Sequence, residues 1–290
     1  MDRGIVILAL GDNLYGKMAV TLAASIKAKS KIPIQLVYNN TAIKEIPKNR
    51  LNLFSKLSKC SLQHYTHNGD KEYQKAKLYL NEYSVFDKTL YLDADTIICP
   101  GRKVDDWFEE LNGNNITFQN NGYYDLWKEE ESKKGYLYWG DPHEISMYHK
   151  LERYLPKVCS TFMYWESWSF TQKSIFEEAR RVYEDDGCPV QEWNGGKPDE
   201  YCFNVSLALH DMLPHKVPFL PIHFIHLHNA KTKEEIIGNF IGMSNCGNKV
   251  PKFLSEIYND FVDYYFDLLG FKEKYYHQDK CEVLDTRKKM

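Results

Sequence analysis

The sequence predicts an α/β fold, a mostly parallel sheet flanked by helices, and three observations carry that prediction. Strand-like and helix-like segments alternate over the first hundred residues, the pattern of crossover connections. The strand-like segments are continuous apolar runs, as expected of strands covered on both faces. The strongest of them ends on two aspartates, Asp93 and Asp95, at the kind of strand end where open sheets bind ligands.

The elements follow in order. "GIVILALGDN" is a buried strand bounded by glycine, and in "LYGKMAVTLAASIKAKS" Tyr15, Met18, Leu22 and Ile26 fall at helical spacing. "IPIQLVYNN" is a second strand, "KEYQKAKLYLNEYSVF" returns to helical spacing, and "KTLYLDADTII" is a third strand. "CPGRKVDDWFEELNGNN" reads as turn, short helix and turn, before a strand in "ITFQNN". Residues 121–157 are aromatic, charged and without clear period, and read as an insertion over one face of the sheet; such long irregular segments are often functional. "STFMYWESWSF" is a strand candidate, and "SIFEEARRVYEDDG" is a helix closed by glycine. "PDEYCFNVSLALHDM" is a helix entered through Pro198 and Asp199. "VPFLPIHFIHLHNAK" is extended, and 251 to 274 is mostly amphipathic helix. With no linker or repeat, the 290 residues are expected to form one domain. It divides into a ligand-binding half (4–100), a half that completes the site (101–250) and a helical extension (251–290).

Composition narrows the partners. A formal charge of −3 carries no electrostatic footprint for nucleic acid, which disfavours that partner. Aromatic residues make up 14%, with 21 Tyr and 6 Trp, and most are expected to fill the core. Seven scattered cysteines without a C-x-x-C form neither a disulfide framework nor a zinc site and suit a reducing compartment. The apolar stretch after Met1 is short of a secretion signal, and no run reaches the ~18–20 apolar residues of a membrane span. The chain therefore reads as a soluble, cytoplasmic protein, and the N-x-S/T matches at Asn39, Asn115 and Asn204 carry no weight.

Four features bear chemistry. Side chains two apart on a strand share a face, so Asp93 and Asp95 are expected to converge on one point. Two carboxylates suit Mg²⁺ or Mn²⁺, which want oxygen ligands and share them with phosphates; a solvated turn is the competing reading. In "HFIHLHNAK", His226 and His228 alternate with strand spacing and offer a third ligand, while His223 and any one of these alone reads as a core or surface histidine. Lys231 is a candidate for neutralising phosphate. Asp199 and Glu200 open a helix, either as an ordinary acidic first turn or as substrate-orienting carboxylates. Lys77 is a helix charge or a donor contact.

The order of "LGDNLYGKMAVTLAASIK", "KLYLNEYSVFDKTLYLDADT", "STFMYW", "PDEYCFN" and "HLHNAK" resembles the GT-A fold nucleotide-sugar glycosyltransferases. It is most similar to the retaining family 8, which includes glycogenin and the bacterial lipopolysaccharide galactosyltransferases. The likeness covers residues 4 to 235 and is most specific from Lys77 to Thr96. It implies a hexosyltransferase acting on a UDP-sugar with retention of configuration. Asp93 and Asp95 would bind Mn²⁺ or Mg²⁺, Lys77 would lie against the donor, and Tyr15 would approach the uracil near Asp12 and Asn13. Asp199 would sit by the transferred sugar, with Glu200 where the family has glutamine. The family's third ligand opens an H-x-x-G-x-x-K-P-W motif. Here Asn229 replaces the glycine, the lysine comes one residue early and Pro-Trp is missing, so His226 fits best, with His228 as the alternative. Trp127, Tyr136, Tyr138 and Trp139 are acceptor-side candidates for a glycan, protein or other hydroxyl acceptor. Two other readings compete: a nucleotidyltransferase, which would want a glycine-rich basic loop after the first strand, and a non-catalytic nucleotide-sugar-binding protein.

Overall fold

Strand β1 (Arg3–Ala9) is buried at every position after Arg3, which is why its sequence shows no polar alternation. Gly11, at φ +100°, turns the chain in the left-handed region that glycine enters without strain. Helix α1 (Asn13–Lys27) follows, then β2 (Ile34–Tyr38), the single turns α2 (Asn40–Ile43) and α3 (Lys48–Leu51), and β3 (Lys56–Lys59). A small hairpin, β4 (Thr66–His67) and β5 (Asp70–Lys71), leads into a 3₁₀ stretch, Tyr73–Tyr79, and the short α4 (Leu80–Tyr83). Then come β6 (Lys88–Asp93), β7 (Thr96–Ile98), α5 (Asp105–Leu111), β8 (Ile116–Asp125), α6 (Pro142–His149) and β9 (Tyr154–Glu166). The chain continues through α7 (Phe170–Glu184), α8 (Asp199–Leu209), β10 (Ile222–Phe224), α9 (Lys233–Asn239), β11 (Gly242–Ser244) and α10 (Lys252–Leu268). This computed structural model describes residues 2–127, 139–192, 196–212, 222–224, 232–240, 242–244 and 252–276.

The main sheet has six strands in the order β3-β2-β1-β6-β9-β8. Strands β1, β2 and β3 run parallel, with Ile5 opposite Ile34 and Leu36 opposite Leu57, and β8 and β9 are antiparallel. A second sheet has the order β10-β11-β7. The chain packs as two compact units, one comprising Cys60–Leu90 and Gly113–Leu220, the other Arg3–Lys59, Tyr91–Asn112 and Pro221–Met290. In the first, Trp165, Phe176, Phe203 and Phe118 form a chain of ring contacts with centroids 4.9–5.4 Å apart. In the second, β1 is covered by the buried face of α1, from Met18 to Ile26. The expected use of aromatics as core is met: Trp107, Trp165, Tyr91 and Tyr164 are among the fully buried side chains. The described cysteines are buried and none is in a disulfide.

Three element readings are corrected. The segment 71–86 is not one α-helix: its centre is 3₁₀, ending in a single α turn. Glu72, just before the 3₁₀ stretch, and Lys75 within it both reach the end of α7, at Tyr183 and Glu184. The start and end of segment 121–157 are regular: Gly122–Asp125 continues β8, Pro142–His149 is a helix capped by Asp141, and β9 begins at Tyr154. Register shifts between Phe118 and Gln119 and between Asn120 and Tyr123 break the alternation that would have marked the strands. The end of "STFMYWESWSF" leaves the sheet, because Ser169 caps α7 by accepting from the Gln172 amide.

Gly16 shows how tightly α1 is seated. A Cβ at this position would lie 1.9 Å from the Ala42 carbonyl oxygen, a backbone atom that cannot swing aside. Gly16→Ala is expected to lower the unfolding free energy by about 3 kcal/mol. Urea denaturation checks it, and an unchanged midpoint would contradict the close approach.

Candidate active site

The carboxyl end of β6 holds the aspartate pair. Asp93 is the last strand residue and half-buried, and the buried Tyr91, two residues earlier on the same face, donates its hydroxyl to Asp93 Oδ1 at 2.5 Å. Asp95 is not on the strand. It stands in the two-residue turn between β6 and β7, so strand alternation does not govern where it points. The buried Tyr258 of α10 lies within electrostatic reach of Asp95, and burial together with that carboxylate raises its phenol pKa.

The second sheet ties this turn to the histidine-rich stretch. Phe224 pairs with Ser244, and Ser244 pairs with Thr96, the residue after Asp95. Strand β10 is parallel to β11, and β11 is antiparallel to β7, so the chain leaves β10 at the end of the sheet where β7 begins. Two strand spacings put that exit about 10 Å from the Asp95 turn. His226 is two residues further on and, with His228, Lys231, Tyr136 and Tyr138, lies outside the described residues. Among the described residues no group of three His, Cys, Asp or Glu is placed to hold a metal ion. The Asp93 and Asp95 oxygens suit a hard cation of the kind that one or two carboxylates share with substrate phosphates, rather than an all-protein cage.

In the other unit, residues far apart in sequence meet at the start of α8. Lys77 Nζ lies 3.4 Å from Asp199 Oδ2 and donates to Ser160 Oγ at 3.2 Å, and the Ser160 hydroxyl donates to Asp199. Asp199 is 6% exposed, so it is no solvated first-turn acid but a buried ion-pair partner. Beside it, the Cys159 thiol donates to Glu200 Oε1 at 2.9 Å. Two adjacent residues of β9 thus meet two adjacent residues of α8. Sequence reasoning missed Ser160, Cys159 and Tyr91. The polar "CST" before the apolar "FMYW" was a signal for the first two, and the i, i+2 spacing of Tyr91 to Asp93 for the third.

The remaining candidates divide. Asp12 is the N-cap of α1, its carboxylate accepting from the Leu14 amide at 2.9 Å, and Asn13 Nδ2 donates to Glu45 at 2.8 Å. Tyr15 lies in the first turn of α1, as its helical spacing predicts, and is 46% exposed. Trp127 is exposed with Arg153 stacked on it, whereas Trp139 is buried and unavailable to an acceptor.

Two histidines in this unit make its stability sensitive to acid. His149 Nε2 is 2.7 Å from the hydroxyl of Tyr201 on α8, and burial lowers its pKa from the ordinary 6.5. His64 stacks on Tyr79, and burial lowers its pKa too. The unfolded chain therefore takes up these protons first. Stability is fully present above pH 6.5 and is lost as pH falls from there through the folded-state values. Denaturation midpoints should drop across that window, and His149→Gln should flatten the drop. An equal acid loss in wild type and variant would exclude His149 as a source.

The architecture is the GT-A glycosyltransferase fold. Among solved structures, the chain aligns with the bifunctional glycosyltransferase WbbM at a TM-score of 0.58 and 14% identity, covering 93% of this chain and 51% of that one. The galactosyltransferase LgtC, solved with donor and acceptor sugar analogues, aligns at 0.52 and 13% identity over 91% of this chain and 95% of its own. The glycosyltransferase GlyE of Streptococcus pneumoniae TIGR4 aligns at 0.53 and 12% identity, covering 93% of this chain and 63% of that one. The chain thus spans about half the length of WbbM. No family model and no curated sequence matches it. Among the described residues no helix is long and apolar enough to cross a membrane.

Proposed function

We propose that this chain is a metal-dependent glycosyltransferase that moves a hexose from a UDP-sugar to a hydroxyl acceptor with retention of configuration. The observation that carries the reading is the buried cluster of Lys77, Ser160 and Asp199 at the start of α8. It pairs a cation suited to a leaving diphosphate with a carboxylate suited to sugar hydroxyls.

Breaking a sugar–phosphate bond puts negative charge on the departing diphosphate. Asp93, Asp95 and His226 or His228 would hold Mn²⁺ or Mg²⁺, which would supply part of the neutralisation when bound. Lys77 supplies another part, with its ammonium fixed in place by Ser160 and Asp199 before reaction, and Lys231 is assigned the same task. Asp199 orients the transferred sugar, and Glu200, braced by the Cys159 thiol, stands next to it in the first turn of α8. Tyr15 offers an exposed ring for the uracil, and Trp127 one for the acceptor. A nucleotidyltransferase is disfavoured because Gly16, one of the two glycines after β1, is used to seat α1 against Ala42.

Calorimetric titration with UDP, with and without Mn²⁺, tests the reading, followed by turnover of a panel of UDP- and GDP-sugars. UDP is expected to bind about tenfold tighter or more with metal, and a UDP-hexose to be consumed fastest. Metal-indifferent UDP binding would remove the metal site, and no turnover with any donor would leave a binding protein.

A further inference from the structure

The groups that flank Lys77 and Asp199 converge on one residue, Tyr183, in the last turn of α7. Its ring is fully buried, and its hydroxyl donates to Glu72, a buried carboxylate. Glu72 immediately precedes the 3₁₀ stretch that carries Lys77. From the other side, Lys197 Nζ donates to the Tyr183 carbonyl at 2.5 Å and to the Asp185 carbonyl at 2.7 Å, and Lys197 stands two residues before Asp199. The Lys75 and Lys197 ammonium groups each lie 5.8 Å from the Tyr183 ring centroid, within cation–π range. Gly196 completes the junction: a Cβ there would be 3.0 Å from the Glu72 carboxyl carbon, so the loop before α8 packs against the residue that precedes the 3₁₀ stretch. Burial and the bond to Glu72 both push the Tyr183 phenol pKa up, which keeps it protonated and donating.

We propose that Tyr183 is a positioning residue for the Lys77–Asp199 pair, its hydroxyl tethering the segment of Lys77 through Glu72 and its main-chain carbonyl the segment of Asp199 through Lys197. Its catalytic consequence rests on the glycosyltransferase reading; the tethering itself does not. A merely structural tyrosine would cost stability and leave the pair intact in the folded protein. A positioning tyrosine moves the pair.

The test compares Tyr183→Phe with Glu72→Leu, which cannot accept the phenol's hydrogen, and Glu72→Gln, whose amide oxygen still can. Crystal structures read the Lys77–Asp199 separation, UDP titration reads binding, and steady-state kinetics with the UDP-hexose consumed by wild type read kcat and KM. In Tyr183→Phe and Glu72→Leu the pair should open beyond its 3.4 Å spacing. Their kcat should fall about tenfold to a hundredfold, with UDP affinity changed about twofold or less, and Glu72→Gln should retain most of the activity. An unchanged spacing in Tyr183→Phe, or an unchanged kcat, overturns the proposal. If wild type consumes no donor, the glycosyltransferase reading fails and the ion-pair spacing alone decides the positioning role. Should Tyr183→Phe not fold, Lys197→Met cuts the second tether and is read in the same way.

Discussion

Asp95→Ala is expected to abolish the Mn²⁺ dependence of UDP binding and to lower donor turnover by about a thousandfold. The size follows from what the carboxylate would do, since a hard cation held by two aspartates loses half of those oxygen donors with one substitution. The protein should still fold, because Asp95 stands in the turn after β6 and contributes no strand pairing. Asp95→Asn separates charge from shape: it keeps the side chain's outline and should lose most of the metal dependence. Titration with UDP and Mn²⁺ reads both variants. An Asp95→Ala protein that still binds UDP more tightly with metal would move the site elsewhere.

Asp199→Ala should have two large effects that can be measured separately. Removing the carboxylate takes a buried counter-charge from the Lys77 ammonium, whose side chain is only 16% exposed. Breaking such a pair from one side costs about 3 kcal/mol. Turnover should fall about a hundredfold at the same time, because Lys77 is no longer held where a diphosphate would leave. The double variant Lys77→Met/Asp199→Leu distinguishes the two losses. It should recover much of the stability, since no buried charge is left alone, and none of the activity. Recovery of both would mean that the pair is structural, and recovery of neither that Asp199 has a further partner in folding.

Legibility in the sequence followed the range of the interactions. Strands β1, β2 and β6 were readable because burial on both faces leaves an unbroken apolar run in the local sequence. Helices α1, α7 and α8 were readable from their period and their entry residues, Pro198 among them. The 3₁₀ stretch Tyr73–Tyr79 was not, because its apolar residues also fit an α-helical spacing and Lys75 finds its partner, Glu184, far away in the chain. Asp93 stands at the strand end that the apolar run predicts, whereas Asp95 stands in the turn, because a period of two does not announce where pairing stops.

By itself, the sequence determined the α/β class, the order of the main strands and helices, and which residue types stand at the end of β6. These are local properties, set by hydrophobic period, turn residues and the chemistry of a D-x-D pair. Tertiary structure decided the rest. It turned Asp199 from a helix-end acid into a buried partner of Lys77, brought Ser160 and Cys159 to the start of α8, and made Tyr183 the junction of two distant segments. The physical reason is that a buried charge must find its counter-charge and hydrogen bonds in space, and the partners it finds carry no mark of that pairing in their own stretch of chain.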